Sequence, residues 1–241
     1  MLLNLAPDHL DRHGDFEAYA GAKLRMFERQ TAADVAVVPR GFGQVPGEGR
    51  RIEFGATDDL PAEPRIPGPH NRENAAAATA AARAAGVADG AIAEALRAFE
   101  GVPHRIELVR ELGGVRYVND SKATNVAATL RALASFPDAT LHVILGGLGK
   151  NEPYEPLARA FKPADRAYLI GESGPEIARA LAEVGVPFDT VGDLRSALAH
   201  ASVRAEPGDV VLLAPACASF DQFRDFEDRG DTFRRLVEEI A

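Results

Sequence analysis

The sequence has no tryptophan, one cysteine and two methionines among its 241 residues, and aromatic residues make up only 7%. Its core must therefore consist mainly of aliphatic side chains and alanine. A single cysteine, Cys217, cannot form an internal disulfide, and no basic segment with a long apolar run marks the chain for secretion. No stretch approaches the roughly 20 apolar residues of a membrane-spanning helix. These absences predict a cytoplasmic protein without a membrane partner.

Positive charge is also scarce. Acidic residues outnumber basic ones by 36 to 27, which gives a net charge of −9. Nucleic acids and anionic membrane surfaces attract basic proteins, so we expect neither as the main partner. The hydrophobic share of 46% is typical of soluble globular proteins, and the length allows two modest domains.

The first half of the sequence contains patterns typical of strands, helices and loops. A short apolar run at Leu2–Leu5 predicts a strand, and helical spacing around Lys23 predicts a helix. Glycine and proline between Arg40 and Pro69 indicate loops. The remaining predicted elements are strands at 35–38 and 51–54, an alanine-rich helix at 71–85 and a helix from 89 to about 99.

The second half alternates strand and helix patterns, and Gly101-Val-Pro103 marks the predicted boundary before it. Such alternation predicts an α/β fold with a parallel sheet covered by helices. Gly113-Gly114 separates two strands that form a β-hairpin. The predicted strands are 105–111, 115–119, 140–145, 166–170, 188–191 and 209–213, and the later helices are 155–161, 175–184, 193–203 and 230–240.

The segment Asn119–Asn125 lies where the chain changes from strand to helix. The β-branched and aromatic run 115–119 precedes it, and Val126 and Leu130 begin a helical spacing after it. The N-terminus of a helix presents unpaired N–H groups, which suits anion binding. The turn offers one carboxylate, two hydroxyls and an ammonium, a set suited to phosphate, metal-bound water or a carboxylate substrate. These groups belong to Asp120, Ser121, Thr124 and Lys122.

Three polar clusters follow three of the predicted strands: Asn119–Asn125, Gly146–Lys150 and Pro215–Phe223. The carboxyl ends of parallel strands meet at one edge of a sheet, where ligands usually bind. We therefore expect these clusters to line one crevice.

Each candidate also has an ordinary interpretation. Gly146–Lys150 lacks the spacing of a phosphate loop and could be a flexible turn with a solvated lysine. Cys217 is more simply a core residue than a nucleophile. His9 could be a turn histidine, and Lys23 a surface lysine. These interpretations do not explain why the candidates occur together.

Six segments together resemble the Mur ligases of peptidoglycan assembly. Within that family the likeness is greatest to the branch that adds D-glutamate to UDP-N-acetylmuramoyl-L-alanine, because the motifs Asn-Asp-Ser-Lys-Ala-Thr-Asn and Pro-Ala-Cys-Ala-Ser are specific to it. The segments are 4–13, 22–25, 68–74, 103–105, 119–125 and 215–223.

The resemblance implies a fold and a reaction. Residues 103–241 would form a Rossmann-like parallel-sheet domain, and residues 1–102 an incomplete α/β central domain of the ATPase type. ATP would phosphorylate the carboxylate of the nucleotide substrate, and the amine of D-glutamate would attack the acyl phosphate. Mg²⁺ would offset the crowded negative charge. The intact enzyme would be a monomer.

The resemblance also implies roles for individual residues. His9 would be a magnesium ligand and Lys23 a carbamylated lysine at the metal, both serving catalysis. ATP would contact Asn71 and Asn74 through adenine, and Arg105 and Asp120 through phosphate and ribose. The D-glutamate pocket would consist of Lys122, Thr124, Lys150, Ser219 and Phe226.

The chain departs from the family in lacking the UDP-binding domain and the phosphate loop, since no GxxxxGK[ST] pattern occurs in its 241 residues. We therefore expect the isolated chain to be an inactive fragment. Two alternatives remain open at this point. One is a module that binds nucleotide or D-glutamate without catalysis, and the other is a ligase of the folyl-polyglutamate synthetase type.

Overall fold

The computed structural model describes residues 1–5, 13–66, 68–150 and 152–240. The chain separates into two compact units, Met1–Glu100 and Gly101–Ala241. Over the described residues, no helix is both long and apolar enough to span a lipid bilayer.

The first unit contains a pair of parallel strands and an alanine-rich helix. Strand β1 (Val35–Pro39) pairs with β2 (Arg50–Phe54) from Val35 opposite Arg50 onward. The helix α2 buries Ala76 and Ala77 against Val37 and Phe54, and such small side chains let a helix lie close to a sheet. The described elements are α1 (Phe16–Leu24), β1 (Val35–Pro39), β2 (Arg50–Phe54), α2 (Pro69–Ala84) and α3 (Asp89–Ala98).

The strand predicted at Leu2–Leu5 is wrong. Residues 1–5 have no regular secondary structure, although the Leu2 amide donates to the Val37 carbonyl at 2.9 Å. Burial rather than a hydrogen-bond ladder explains the apolar run, because Leu2 packs in a cluster with Phe27 and Val38.

The second unit contains a mixed sheet, which confirms the predicted α/β class. Across the sheet its described strands are, in order, β3 (Glu107–Leu112), β4 (Val115–Asn119), β8 (Val210–Leu213), β5 (Leu141–Gly146), β6 (Arg166–Ile170) and β7 (Phe188–Gly192). Strand β3 is antiparallel to β4, and the other pairs are parallel. The hairpin at Gly113-Gly114 is confirmed.

Two helices of this unit differ from their predicted bounds by more than one residue. The last helix begins at Phe226, not at Gly230, because the Asp225 side chain accepts from the Asp228 amide at 2.7 Å and caps it. The helix predicted to reach Phe161 ends at Ala158, where i to i+3 hydrogen bonds replace helical ones. The helices are α4 (Val126–Ala134), α5 (Glu155–Ala158), α6 (Gly174–Glu183), α7 (Leu194–Arg204) and α8 (Phe226–Glu238).

Candidate active-site rim

The turn between β4 and α4 is a tight, internally bonded structure. The Asn125 side chain caps α4 by accepting from the Ala128 amide at 2.8 Å. The Thr124 amide donates to the Lys122 carbonyl at 2.8 Å, and the Ala123 amide donates to the Asp120 carbonyl at 2.9 Å. These bonds fix the backbone and leave the Lys122 side chain exposed.

The three strand-end clusters meet at one edge of the sheet, as predicted. Leu148 and Ala218 exchange two backbone hydrogen bonds, of 2.9 and 3.0 Å. The Ala216 amide donates to the Ala123 carbonyl at 2.9 Å, which joins the third loop to the turn after β4. Gly147 makes this approach possible, because a Cβ there would lie 2.2 Å from the Ala218 carbonyl oxygen. We call the three joined loops, 120–125, 146–150 and 215–223, the rim.

Five predicted pocket residues lie on the rim or beside it. Lys122 is exposed and its ammonium lies 3.8 Å from the centroid of the Phe226 ring, at the first residue of α8. Lys150 is exposed, Thr124 is half-buried and Ser219 is buried. This edge of the domain therefore combines two ammonium groups with two hydroxyl side chains.

Asp120 is a buried carboxylate at the start of the rim. Burial raises its pKa to about 7, although a hydrogen bond from the Ile106 amide and the charge of Arg105 both lower it. The Ile106 amide lies 3.3 Å from Asp120 Oδ1. Arg105 itself is exposed.

The segment that brings Arg105 to the rim has an unusual backbone. His104 and Ile106 have φ angles of 64° and 47°, a left-handed conformation that costs energy for residues with a Cβ. The His104 carbonyl accepts from the Lys122 amide at 3.1 Å, which ties this segment to the rim. Such strain often occurs at functional sites.

One buried residue of this region, Arg229, was missed from the sequence, and it contacts Ser121 of the predicted turn. Ser121 is fully buried and Arg229 is 1% exposed, and Arg229 Nε donates to Ser121 Oγ at 2.9 Å. Arg229 was missed because the last helix was predicted to begin after it. The Asp225-x-x-Asp228 spacing is a helix-start signal that would have placed Arg229 within the helix.

The remaining predicted site residues belong to the first unit. Lys23 is exposed on α1, with its ammonium 5.4 Å from the centroid of the Tyr19 ring. Asn71 and Asn74 lie in the first turns of α2. His9 lies outside the described residues. Across the residues that are described, no group of three His, Cys, Asp or Glu side chains could hold a metal ion. The magnesium ligands therefore stay a prediction.

Family models match both units of the chain. The Mur ligase glutamate ligase domain matches residues 104–217, and the Mur ligase middle domain matches residues 1–42. This chain belongs to the Mur ligase family. The assignment of 1–102 and 103–241 to the central and C-terminal ligase domains stays a prediction.

Relatives of this Mur ligase chain share one name. UDP-N-acetylmuramoylalanine–D-glutamate ligases from Zymomonas mobilis and Anaeromyxobacter dehalogenans are 41% and 44% identical to it, and each match covers 100% of the chain. The chain spans 56% and 60% of their respective lengths.

Solved structures show the Mur ligase fold at lower identity. MurF from Acinetobacter baumannii superimposes with a TM-score of 0.73 at 19% identity, covering 98% of this chain and 59% of that one. Escherichia coli FolC in complex with ADP and DHPP gives 0.67 at 18% identity, covering 98% and 61%. At such identities the likeness concerns the fold alone.

Proposed function

We propose that this chain is the ATP- and D-glutamate-binding part of a ligase that joins D-glutamate to UDP-N-acetylmuramoyl-L-alanine. The bond formed is an amide, made through an acyl phosphate at the expense of ATP. The names of relatives with 41% to 45% identity support this proposal. We also propose a monomeric, cytoplasmic enzyme whose cofactors are ATP and Mg²⁺.

The observation that carries the proposal is that Lys122 and Lys150 are both exposed on the joined loops of the rim, in a chain whose net charge is −9. A dicarboxylate such as D-glutamate needs a cation and hydrogen-bond donors at each end. The two ammonium groups supply the cations. The hydroxyls of Thr124 and Ser219 supply donors, and the Phe226 ring contacts the Lys122 ammonium.

The proposed nucleotide contacts rest on the family resemblance. Arg105 would contact an ATP phosphate and Asp120 the ribose or phosphate region, while Asn71 and Asn74 would contact adenine. Asp120 suits a hydrogen-bonding role near neutral pH, because burial raises its pKa to about 7 and both protonation states are accessible.

The metal side of the proposal rests on the family resemblance. When bound, Mg²⁺ would offset phosphate charge. His9 and Lys23 are the residues that we propose to hold it, with Lys23 carbamylated.

The identity values argue against a folyl-polyglutamate synthetase. The chain matches D-glutamate ligases at 41% to 45% identity but FolC at 18%. A single amino-acid pocket could serve either enzyme, so the decisive difference is the stereochemistry of the glutamate that binds.

Isothermal titration calorimetry of the 241-residue chain tests the proposal. We expect heat of binding with D-glutamate and much less with L-glutamate. Lys150→Met should weaken D-glutamate binding about tenfold, because it removes one charged hydrogen bond. Arg195→Met removes an exposed cation of α7 that pairs with Glu239, and it should leave binding unchanged. Equal binding of both enantiomers, or none of either, would contradict the proposed pocket.

A phosphate-release assay with ATP, UDP-N-acetylmuramoyl-L-alanine and D-glutamate tests the reaction. No phosphate-loop pattern occurs in these 241 residues, so we expect binding without turnover. Turnover at the rate of an intact ligase would refute the predicted inactivity of the isolated chain.

A further inference from the structure

Arg229 is a buried cation that touches the rim from beneath. Its side chain is among the largest fully buried ones, with 1% of its surface exposed. Its Nε and Nη2 atoms donate to Ser121, at 2.9 Å to Oγ and 2.9 Å to the carbonyl. Nη1 and Nη2 both lie 3.2 Å from the Cys217 carbonyl, and Nη1 lies 3.4 Å from that of Ala218. The guanidinium therefore bridges two of the three rim loops.

These five contacts use the full donor capacity of the side chain, because a guanidinium carries five N–H groups in a rigid plane. Every acceptor is a neutral hydroxyl or carbonyl oxygen of the rim. A buried cation costs free energy that a methionine of similar length would avoid. Space-filling alone thus does not explain an arginine at this position.

The contacts continue from Arg229 toward the exposed part of the rim. Ser121 Oγ accepts from Arg229 and donates to the Phe226 carbonyl at 2.8 Å. The Lys122 ammonium in turn lies over the Phe226 ring. On the other loop, Cys217 and Ala218 immediately precede Ser219. Arg229 is therefore one residue away from proposed pocket residues on both loops.

We propose that Arg229 is a positioning residue that sets the spacing between the Lys122–Thr124 turn and the Ser219 loop, and thereby the affinity for D-glutamate. Arg229 does not contact the ligand in this arrangement. The inference rests on the proposed function for its ligand, whereas the spacing itself can be measured without any ligand. A lysine would keep the charge but could not reach both loops with a planar fork.

The test compares Arg229→Lys with Leu236→Ala. Leu236 lies seven residues further along the same helix and packs in the hydrophobic core, so its truncation should lower the melting temperature without removing a hydrogen bond to the loops. Amide hydrogen exchange of Lys122, Ala216 and Ala218 reports on the rim, because each amide is bonded across loops or to the His104 segment. Calorimetry with D-glutamate reports on the pocket.

In Arg229→Lys we expect faster exchange at those three amides and D-glutamate affinity lower by about tenfold, the effect of losing one charged hydrogen bond. Leu236→Ala should lower the melting temperature at least as much but leave D-glutamate affinity unchanged. Arg235→Lys, an exposed neighbour on α8, should change neither quantity.

Three results would overturn the inference. One is unchanged rim exchange in Arg229→Lys, and the second is faster exchange with unchanged affinity. The third is an equal loss of affinity in Leu236→Ala, which would show general destabilisation. If the unaltered chain binds no D-glutamate, the proposed function fails, and rim exchange in Arg229→Lys alone then decides whether Arg229 sets the spacing.

Discussion

The ammonium of Lys122 lies 3.8 Å from the centroid of the Phe226 ring, directly over a side chain from the far end of the chain. A cation over an aromatic face is attracted by the ring quadrupole, by about 0.5–1 kcal/mol at exposed sites and more where water is excluded. Phe226 also accepts a hydrogen bond from Ser121 through its carbonyl. The first residue of α8 thus supports the turn after β4 by both its side chain and its backbone.

Replacing Phe226 with leucine should weaken D-glutamate binding about two- to tenfold, because Lys122 loses its aromatic support. Phe226→Tyr keeps the ring and should bind nearly as well as the unaltered chain. Calorimetry on the three proteins measures the effect. Equal weakening in both variants would mean that the packing of the unsubstituted ring, and not the cation–ring contact, matters.

Asp120→Asn should stabilise the chain by an amount that depends on pH. The native carboxyl has a pKa of about 7, above its ordinary value of 3.8. Between these values the native state binds more protons than the unfolded state, so the stability that Asp120 contributes falls as pH rises. The free energy of unfolding of Asp120→Asn should therefore exceed that of the unaltered chain above about pH 4. The difference should grow to a few kcal/mol and level off above about pH 7.

Urea unfolding of both proteins across that pH range measures the difference directly. Other titrating groups are common to the two proteins and cancel from it. A difference that stays constant with pH would show that Asp120 is ionised throughout, in disagreement with a pKa raised by burial.

Gly230→Ala should destabilise the second unit. A Cβ at Gly230 would lie 2.2 Å from His104 Nδ1, and the His104 ring is itself buried between helix and turn. We expect a loss of about 1–3 kcal/mol, the usual cost of overpacking. Gly174→Ala on α6 is the matched control, because its Cβ would meet only an ordinary contact at 3.9 Å. Thermal unfolding checks both, and equal melting temperatures would contradict the close packing.

Local pattern was sufficient to predict the sheet and the meeting of its loops. Strand and helix periodicities alternate plainly from Val115 onward, and parallel strands necessarily place their carboxyl ends together. The burial of Cys217 was also predicted correctly, because no histidine near it in the sequence could activate it as a nucleophile. Its Sγ lies 3.2 Å from the Tyr154 hydroxyl, and burial raises the pKa of the thiol.

Other features depend on contacts between residues far apart in the sequence and could not be predicted from local sequence patterns. The left-handed backbone at His104 and Ile106 is held by bonds to Lys122 and Asp120. The burial of Arg229 depends on acceptors more than 100 positions away as well as on a nearby loop. A buried arginine contradicts the average preference of its residue type, so only tertiary structure identifies it.

The two hydrogen bonds between Leu148 and Ala218 form an isolated antiparallel bridge between the loops that follow the parallel strands β5 and β8. Neither loop can be lengthened or exchanged without disturbing the other. Attempts to change the amino-acid preference that we propose for this site by transplanting a loop should consequently move both segments as a pair. A graft of one loop alone would leave the recipient's partner without its backbone acceptors.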